Sequence, residues 1–381
     1  MKGVCGQHSE NKIFINSIVA IELNDHTGLD IIMLTMSKLI KSLSHEQYVS
    51  GQLLAERFAV TRATINNHIT CLQQLGVQIE CIPGRGYRLQ HPLQLHDVEH
   101  IKTSLAPTVA QCLRELHCEQ ELESTNTSIK SYELPPKHHF SVLIAERQTA
   151  GRGRRGRTWI SPYAANITLS LLWNWQAGMQ NVGPLSPFLA IQLAQMLAKL
   201  GLSEVKVKWP NDIYCVDKKI AGLLIECSGE ANANCRLVIG LGLNVFMSRQ
   251  LRDQAIDQAW TDVITQHPAI TMDRDQIAAA CIEALVTGLQ DYESQSYETF
   301  GDGLCEQWSE WDWLANKTVR VDSETNSVHG VAMGITDSGG LRLVTQEGEQ
   351  EIVVGEVSVR EANARETSAR ETSARDTSAR E

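Results

Sequence analysis

From Asn166 to Trp175 apolar and polar residues alternate, placing Ile167, Leu169, Leu171, Trp173 and Trp175 on one side of a strand. A face with two tryptophans and three aliphatic residues must be covered, so the segment calls for a sheet packed under helices. Suitable helices follow in the chain. Ser186-Pro187 opens one that presents Leu189, Leu193, Met196, Leu197 and Leu200, with Gly201 closing it. Asp275 to Leu289 presents Ile277, Cys281, Leu285 and Leu289. Ser141–Glu146, Val205–Trp209, Ile220–Cys227 and Leu237–Val245 read as further strands. Together they imply an α/β or α+β domain of about 210 residues centred on one sheet.

The 381 residues leave room for two or three domains. Hydrophobic residues make up 43% and charged ones 21%, which excludes a wholly disordered chain and a collagen-like fibre. None of the ten cysteines falls in a C-x-x-C pair, so the sequence signals neither a zinc site nor a redox motif. They read as reduced packing residues of a cytoplasmic protein. The best early apolar run, Phe14 to Leu23, is broken by Asn16, Ser17 and Glu22, so no membrane span or cleavable leader is expected. The sequons at Asn126, Asn166 and Asn316 are then chance matches.

A net charge of −11 means that any nucleic-acid contact must be local. One segment fits. Between Ser37 and Gln90, six Lys/Arg against three Glu give +3. Ser50 can cap a helix through Phe58, Ala59-Val60 makes a turn, and Thr61 caps a second helix with Ile65, Ile69 and Leu72 inward. The opposite face carries Arg62, Asn66, Asn67 and Thr70, and Thr61 and Thr64 stand at its start. Two short strands then flank Pro83-Gly84-Arg85-Gly86, a hairpin tip with a cation. The pattern is a winged helix-turn-helix; the plainer alternative is a small helical subdomain with polar surfaces.

Residues 1–36 read as an extension and 91–100 as a linker. From Lys317 to Arg360 short strands suggest a small β-barrel. The repeated Arg-Glu-Thr-Ser-Ala of residues 361–381 has no apolar face to bury and is expected to be disordered.

The loudest chemical signal is Gly151-Arg-Gly-Arg-Arg-Gly-Arg157. It matches G-x-G-x-x-G, but no helix follows and no acidic residue stands about 20 positions on, so a dinucleotide fingerprint is rejected. A P-loop fails for want of G-K-[ST]. What remains is a mobile loop of four guanidinium groups between strands, suited to a compact polyphosphate. A solvated basic loop or a nucleic-acid patch is the bland alternative. Lys208-Trp-Pro-Asn-Asp212 ends a strand at a rigid corner, where Lys208 could neutralise a phosphoryl group rather than snorkel. Ser124-Thr125-Asn126 alone reads as a helix N-cap, and Gln148 as an ordinary strand-end amide. Gly222 and Gly240-Leu-Gly-Leu-Asn244 mark bulges or close backbone approach.

In this order the segments resemble biotin protein ligase of the bifunctional bacterial kind, which also represses biotin synthesis. The set spans Ser-Thr-Asn, Gln-x-Ala-Gly-Arg-Gly-Arg-Arg-Gly-Arg-x-Trp, Lys-Trp-Pro-Asn-Asp, Lys-x-Ala-Gly and Gly-x-Gly-x-Asn, and covers residues 37 to 360. The resemblance implies an α+β multidomain chain: a winged helix-turn-helix (37–90), a mixed-sheet catalytic domain like those of biotin and lipoate ligases (101–314), and an SH3-like barrel (315–360). It implies biotin binding by Ser124, Thr125, Asn126, Gln148, Arg152, Gly153, Arg154, Lys208 and Gly222. Arg154, Arg155, Trp159, Asn211, Asn244, Trp260 and Arg360 would bind the nucleotide, with Lys208, Arg152 and Arg154 catalytic. ATP with Mg²⁺ and biotin are the implied small molecules, and no protein metal site is implied. Thr61, Arg62, Thr64, Asn66, Asn67 and Arg85 would contact operator DNA. The implied partners are biotin carboxyl carrier protein and a second copy of the chain, paired through an exposed sheet edge when biotinyl-AMP is bound. Two rivals stand beside this expectation: a ligand-sensing regulator without catalysis, and a lipoate-attaching enzyme, for which Ser124-Thr125-Asn126 would have no task.

Overall fold

The computed structural model describes residues 36–361, apart from 177, 230–234, 248–255, 257, 295–296, 324–326 and 354–357. The expected extension and repeat tail lie outside the described residues.

The amino-terminal unit follows the caps anticipated from sequence. Ser50 accepts from Leu53 N and starts Gly51–Phe58; Ala59, at φ 53°, closes it. Thr61 accepts from Thr64 N and starts Arg62–Gln74, whose Ile65, Ile69 and Leu72 are buried. Strands β1 (Ile79–Ile82) and β2 (Gly86–Leu89) then pair antiparallel as the wing. Helix-turn-helix and wing share one core with Tyr163 and Ala164 of the next unit, and Tyr163 N donates to Leu75 O.

Seven strands form the central sheet: β3 (Leu113–Glu119), β4 (Phe140–Ala145), β5 (Asn166–Trp175), β6 (Val205–Lys208), β7 (Asp212–Cys215), β8 (Lys218–Ser228) and β9 (Cys235–Asn244). Their order is β3-β4-β5-β9-β8-β7-β6, with only β3 and β4 parallel. All of β5 is buried. Ile167, Leu169, Leu171, Trp173 and Trp175 meet the helices Leu185–Lys199 and Arg274–Ser294 in one core. Covering such a face stabilises by about 2 kcal/mol per large side chain, which pins the register.

Five further strands, β10 (Thr318–Asp322), β11 (Ser327–Ile335), β12 (Leu341–Thr345), β13 (Gly348–Ile352) and β14 (Ser358–Glu361), make an antiparallel sheet ordered β13-β12-β11-β10-β14. Its inner residues Val319, Val321, Ala332 and Leu343 join the central core, and Trp209 Nε1 donates to Gly339 O. It is therefore packed onto the central unit, not tethered beside it.

The segment expected as a linker is also packed. Leu95 and His96 are buried, and Val98–Ser104 is helical with Asp97 as its cap. His96 Nδ1 donates to Asp275 Oδ1 at 2.7 Å, while its Nε2 accepts from Arg274 Nη2 at 3.0 Å. Arg274 also donates to Glu146 Oε2 at 2.9 Å and Asn166 O at 2.7 Å. An imidazole that receives from arginine has to be neutral. Burial, with the Arg274 charge, accordingly holds its pKa below the ordinary value.

A histidine with a depressed folded-state pKa contributes its stability above the unfolded value and loses it as pH falls. Melting temperature should therefore decline as pH drops below about 6.5. His96→Asn keeps a donor toward Asp275 and cannot be protonated, so it should flatten that decline between pH 7 and 5. An unchanged slope would place the titration elsewhere.

Candidate functional site

The face of the sheet opposite the helices owes its character to register. Across six strands the pairs run Lys208↔Asp212, Asp212↔Gly222, Gly222↔Gly242, Gly242↔Thr168 and Thr168↔Ala145. One position along, Leu224↔Gly240 and Gly240↔Ser170 form a parallel row. Directly opposed residues share a face, so Gly222, Gly240 and Gly242 leave a floor almost bare of side chains. The floor has no spare room for a methyl group. A Cβ on Gly240 would lie 2.3 Å from Asn126 Oδ1, and one on Gly242 2.3 Å from the Trp159 indole.

At one end of this floor stands the Ser-Thr-Asn segment, opening the single turn Thr125–Ser128. Ser124 occupies the cap position, yet its hydroxyl makes no capping bond, so the ordinary explanation for this residue does not apply. Ser124, Thr125 and Asn126 are each more than nine-tenths buried. Gln148 Oε1 accepts from Thr125 N at 2.7 Å and from Thr125 Oγ1 at 3.1 Å. Its amide is thereby oriented, with the NH₂ as the group remaining for a ligand. Ser170, absent from the sequence-based set, donates to Asn126 Oδ1 at 2.6 Å and lies 2.8 Å from Thr125 Oγ1. Asn126 Nδ2 donates to Leu224 O and to Glu226 Oε2. Ser170 was legible only as one polar residue in an alternating strand.

The arginine loop is folded as a narrow hairpin. Gly153 N donates to Arg157 O, Trp159 N to Gly151 O, and Arg152 bridges Thr158. Arg155, at φ 55°, and Gly156, at φ 67°, make the tip. Arg152 Nη2 reaches Thr127 Oγ1 at 3.2 Å, on the Ser-Thr-Asn side. Arg154 lines a cavity of about 270 Å³ with Ser186, Asn211, Leu223, Leu224 and Ile225. Burial lowers its pKa and nearby Asp212 opposes the shift; a guanidinium so placed stays charged at neutral pH. Arg155 points elsewhere, donating to Asp322 O of β10 at 3.1 Å.

Lys208 shares the face by register, but its ammonium lies over the rings of Tyr214 (5.6 Å) and Trp313 (5.3 Å). Lys219, in Lys-x-Ala-Gly, is a second cation beside the glycine row. Its Nζ would be 3.4 Å from a Cβ on Gly222, 2.7 Å from Asp212 Oδ1 and 5.8 Å from the Trp159 ring centroid. Its side chain is 14% exposed. The motif pointed to Gly222 and passed over the lysine three residues before it.

The remaining expected residues divide. Trp159 covers the floor at Gly242, with its Nε1 buried and unpartnered. Asn211 and Asn244 are buried, but their amides hold backbone, donating to Leu223 O and Thr261 O respectively. Trp260 bridges Lys219, so the chain after Asn244 returns to the first residues of β8. Arg360 pairs with Arg320 across β14 and β10, and its side chain lies outside the described residues. In the amino-terminal unit Arg62, Asn66, Asn67 and Arg85 are exposed. Thr61 and Thr64 are engaged in the helix cap, hydroxyl to hydroxyl at 2.9 Å. Arg85 lies 4.4 Å over the Tyr48 ring, which props it at the wing tip.

Residues 119–244 match the Biotin/lipoate A/B protein ligase family, 35–88 an HTH domain and 315–360 the Biotin protein ligase C terminal domain. The chain is 34% identical over 310 residues to the Bifunctional ligase/repressor BirA of Salmonella typhimurium, covering 81% of this chain and 92% of that one. The Escherichia coli protein of the same name is also 34% identical, over 82% and 92%. The chain belongs to the BirA family. Among solved structures, the biotin protein ligase from Aquifex aeolicus in complex with biotin and ATP superposes with a TM-score of 0.56 at 25% identity, covering 65% of this chain and all of that one. A BirA-family chain thus carries its helix-turn-helix and its ligase domain in contact, through Tyr163 and Ala164.

Gly240→Ala tests the packing of the floor. The methyl group would push Asn126 off the sheet, and overpacking of this kind costs about 1–3 kcal/mol. Chemical denaturation should show that loss. Unaltered stability would mean that Asn126 yields without cost.

Proposed function

We propose that this BirA-family chain joins biotin to AMP from ATP, passes it to a lysine of biotin carboxyl carrier protein, and represses biotin synthesis when biotinyl-AMP is bound. The observation that carries the ligase reading is the row of glycines that lets Asn126, Trp159 and Lys219 lie close against the sheet, with a buried polar cluster at one end and the arginine hairpin alongside.

Each part suits one portion of the substrates. Biotin's compact bicycle needs a close-fitting site, and its ureido group needs both donors and acceptors. The Gln148 amide can donate to the ureido oxygen; the Ser124 and Thr125 hydroxyls can accept from its N–H groups. Lipoate has no group for this cluster to satisfy, and buried polar atoms left unpaired would reject it. Asn126 holds the cluster to the sheet through Ser170.

Adenylation brings two anions together: the biotin carboxylate attacks the α-phosphorus of MgATP and pyrophosphate leaves. Mg²⁺ enters with the nucleotide as part of the substrate. Lys219, Arg152 and Arg154 supply fixed positive charge where the carboxylate and α-phosphate must meet, and Asp212 holds the Lys219 ammonium in place. Such preorganised groups are worth roughly 3–4 kcal/mol each when water is excluded. Trp159 and the arginine hairpin would cover the mixed anhydride against hydrolysis. A neutral acceptor amine then attacks the carbonyl carbon, AMP departs, and no protein nucleophile is required.

Repression uses the same ligand. A ligand that stiffens the hairpin lowers the entropic cost of pairing two copies. The second half of β8, beyond its pairing with short β7, offers an open sheet edge for that contact. A dimer would bring two recognition helices, bearing Arg62, Asn66 and Asn67, to paired half-sites. Among the described residues no helix is long and apolar enough to cross a membrane, which accords with cytoplasmic action.

The assignment of the cation is tested with labelled ATP and biotin. Lys219→Met should reduce biotinyl-AMP formation about 100-fold, and by much more than Lys208→Met. An equal or greater loss in the Lys208 variant would return the role to the residue at the strand corner.

A further inference from the structure

Glu226 lies on β8 outside every motif, and the function proposed above gives it no task. Its Oε1 accepts from Lys130 Nζ at 3.0 Å and its Oε2 from Asn126 Nδ2 at 2.9 Å. Both oxygens lie 3.4 Å from Arg152 Nη2. One carboxylate therefore touches the Ser-Thr-Asn turn, the Ile129–Ser131 turn after it, and the arginine hairpin. Burial alone would raise its pKa, but hydrogen bonds from Lys130 and Asn126 outweigh that and hold the carboxyl below its ordinary range. It is thus an anion at neutral pH.

The contact with Arg152 has a particular form. It engages Nη2 alone, the same nitrogen that reaches Thr127 Oγ1. The other donors of the guanidinium fork stay available to a ligand. Arg152 can therefore hold Glu226 and an anionic substrate together, without exchanging one for the other.

We propose that Glu226 is a positioning residue, tethering the arginine hairpin through Arg152 to the biotin-side cluster and slowing escape of the activated product. The proposal rests on the reading that this hairpin covers biotinyl-AMP. A tether and a mere placeholder differ in sign. A carboxylate that only occupied Arg152 until a phosphate displaced it would, once removed, quicken capture and slow release. A tether, once removed, quickens release.

The test uses the full chain loaded with biotin and ATP labelled at the α-phosphate, followed by an unlabelled chase. Glu226→Gln retains an oxygen to accept from Asn126 but loses the charge that holds Arg152. It should release biotinyl-AMP about fivefold faster than wild type, as expected for a half-exposed ion pair, with a much smaller change in KM for biotin. Lys130→Met removes the other cation and should release at the wild-type rate. Unchanged or slower release from Glu226→Gln, or equally fast release from Lys130→Met, would overturn the proposal. A biotin KM that rises as much as the release rate would also overturn it, by showing a general loosening of the site. Failure of wild type itself to retain any adenylate would instead overturn the functional reading.

Discussion

The site depends on the pairing of β8 with β9, which sets Gly222 against Gly242 and places Gly240 beside Ser170. A shift of one residue would turn these glycines toward the helices and bring Leu241 and Leu243 onto the ligand side. The register is held from behind. Leu169, Leu171 and Trp173 of β5 and Leu241 and Leu243 of β9 are all buried in the core beneath the helices. Hydrophobic burial on one face therefore fixes, residue by residue, what chemistry the other can display.

The same framework binds the regulatory module to the ligase. Glu146 directly follows β4, two residues before Gln148, and receives the Arg274 guanidinium and the His96 backbone amide. His96 follows the wing by a few residues, while Tyr163 and Ala164 complete the helix-turn-helix core. The recognition helix and the biotin-side cluster are thus joined through a short run of buried hydrogen bonds. This is a physical basis on which a ligand at one end can bias the other.

Much of this was legible in sequence because it rests on local rules. The caps at Ser50 and Thr61, the periodic Ile65, Ile69 and Leu72, and the alternation of β5 all report burial directly. The Ser-Thr-Asn turn and the glycines could be placed because several short motifs occur in a fixed order. What was not legible depends on contacts between distant segments. Ser170 and Glu226 look like ordinary polar residues until Asn126 lies against them. Lys208 and Lys219 are both lysines near strand ends, and only the packing of Tyr214 and Trp313 against one, and of Gly222 and Asp212 against the other, separates them. The packing of the expected linker was not legible for the same reason: Pro92 and three histidines give no sign that His96 has its partner about 180 residues away.

The central claim is that the glycine floor and Lys219 together receive the carboxylate and α-phosphate of activated biotin. The most direct measurement is a crystal structure of the protein grown with biotinyl-AMP. The account predicts the ureido group within hydrogen-bond reach of the Gln148 amide and the Ser124 and Thr125 hydroxyls, with the acyl-phosphate oxygens about 3 Å from Lys219 Nζ. Density placing those oxygens beside Lys208, with Lys219 still paired only to Asp212, would contradict it.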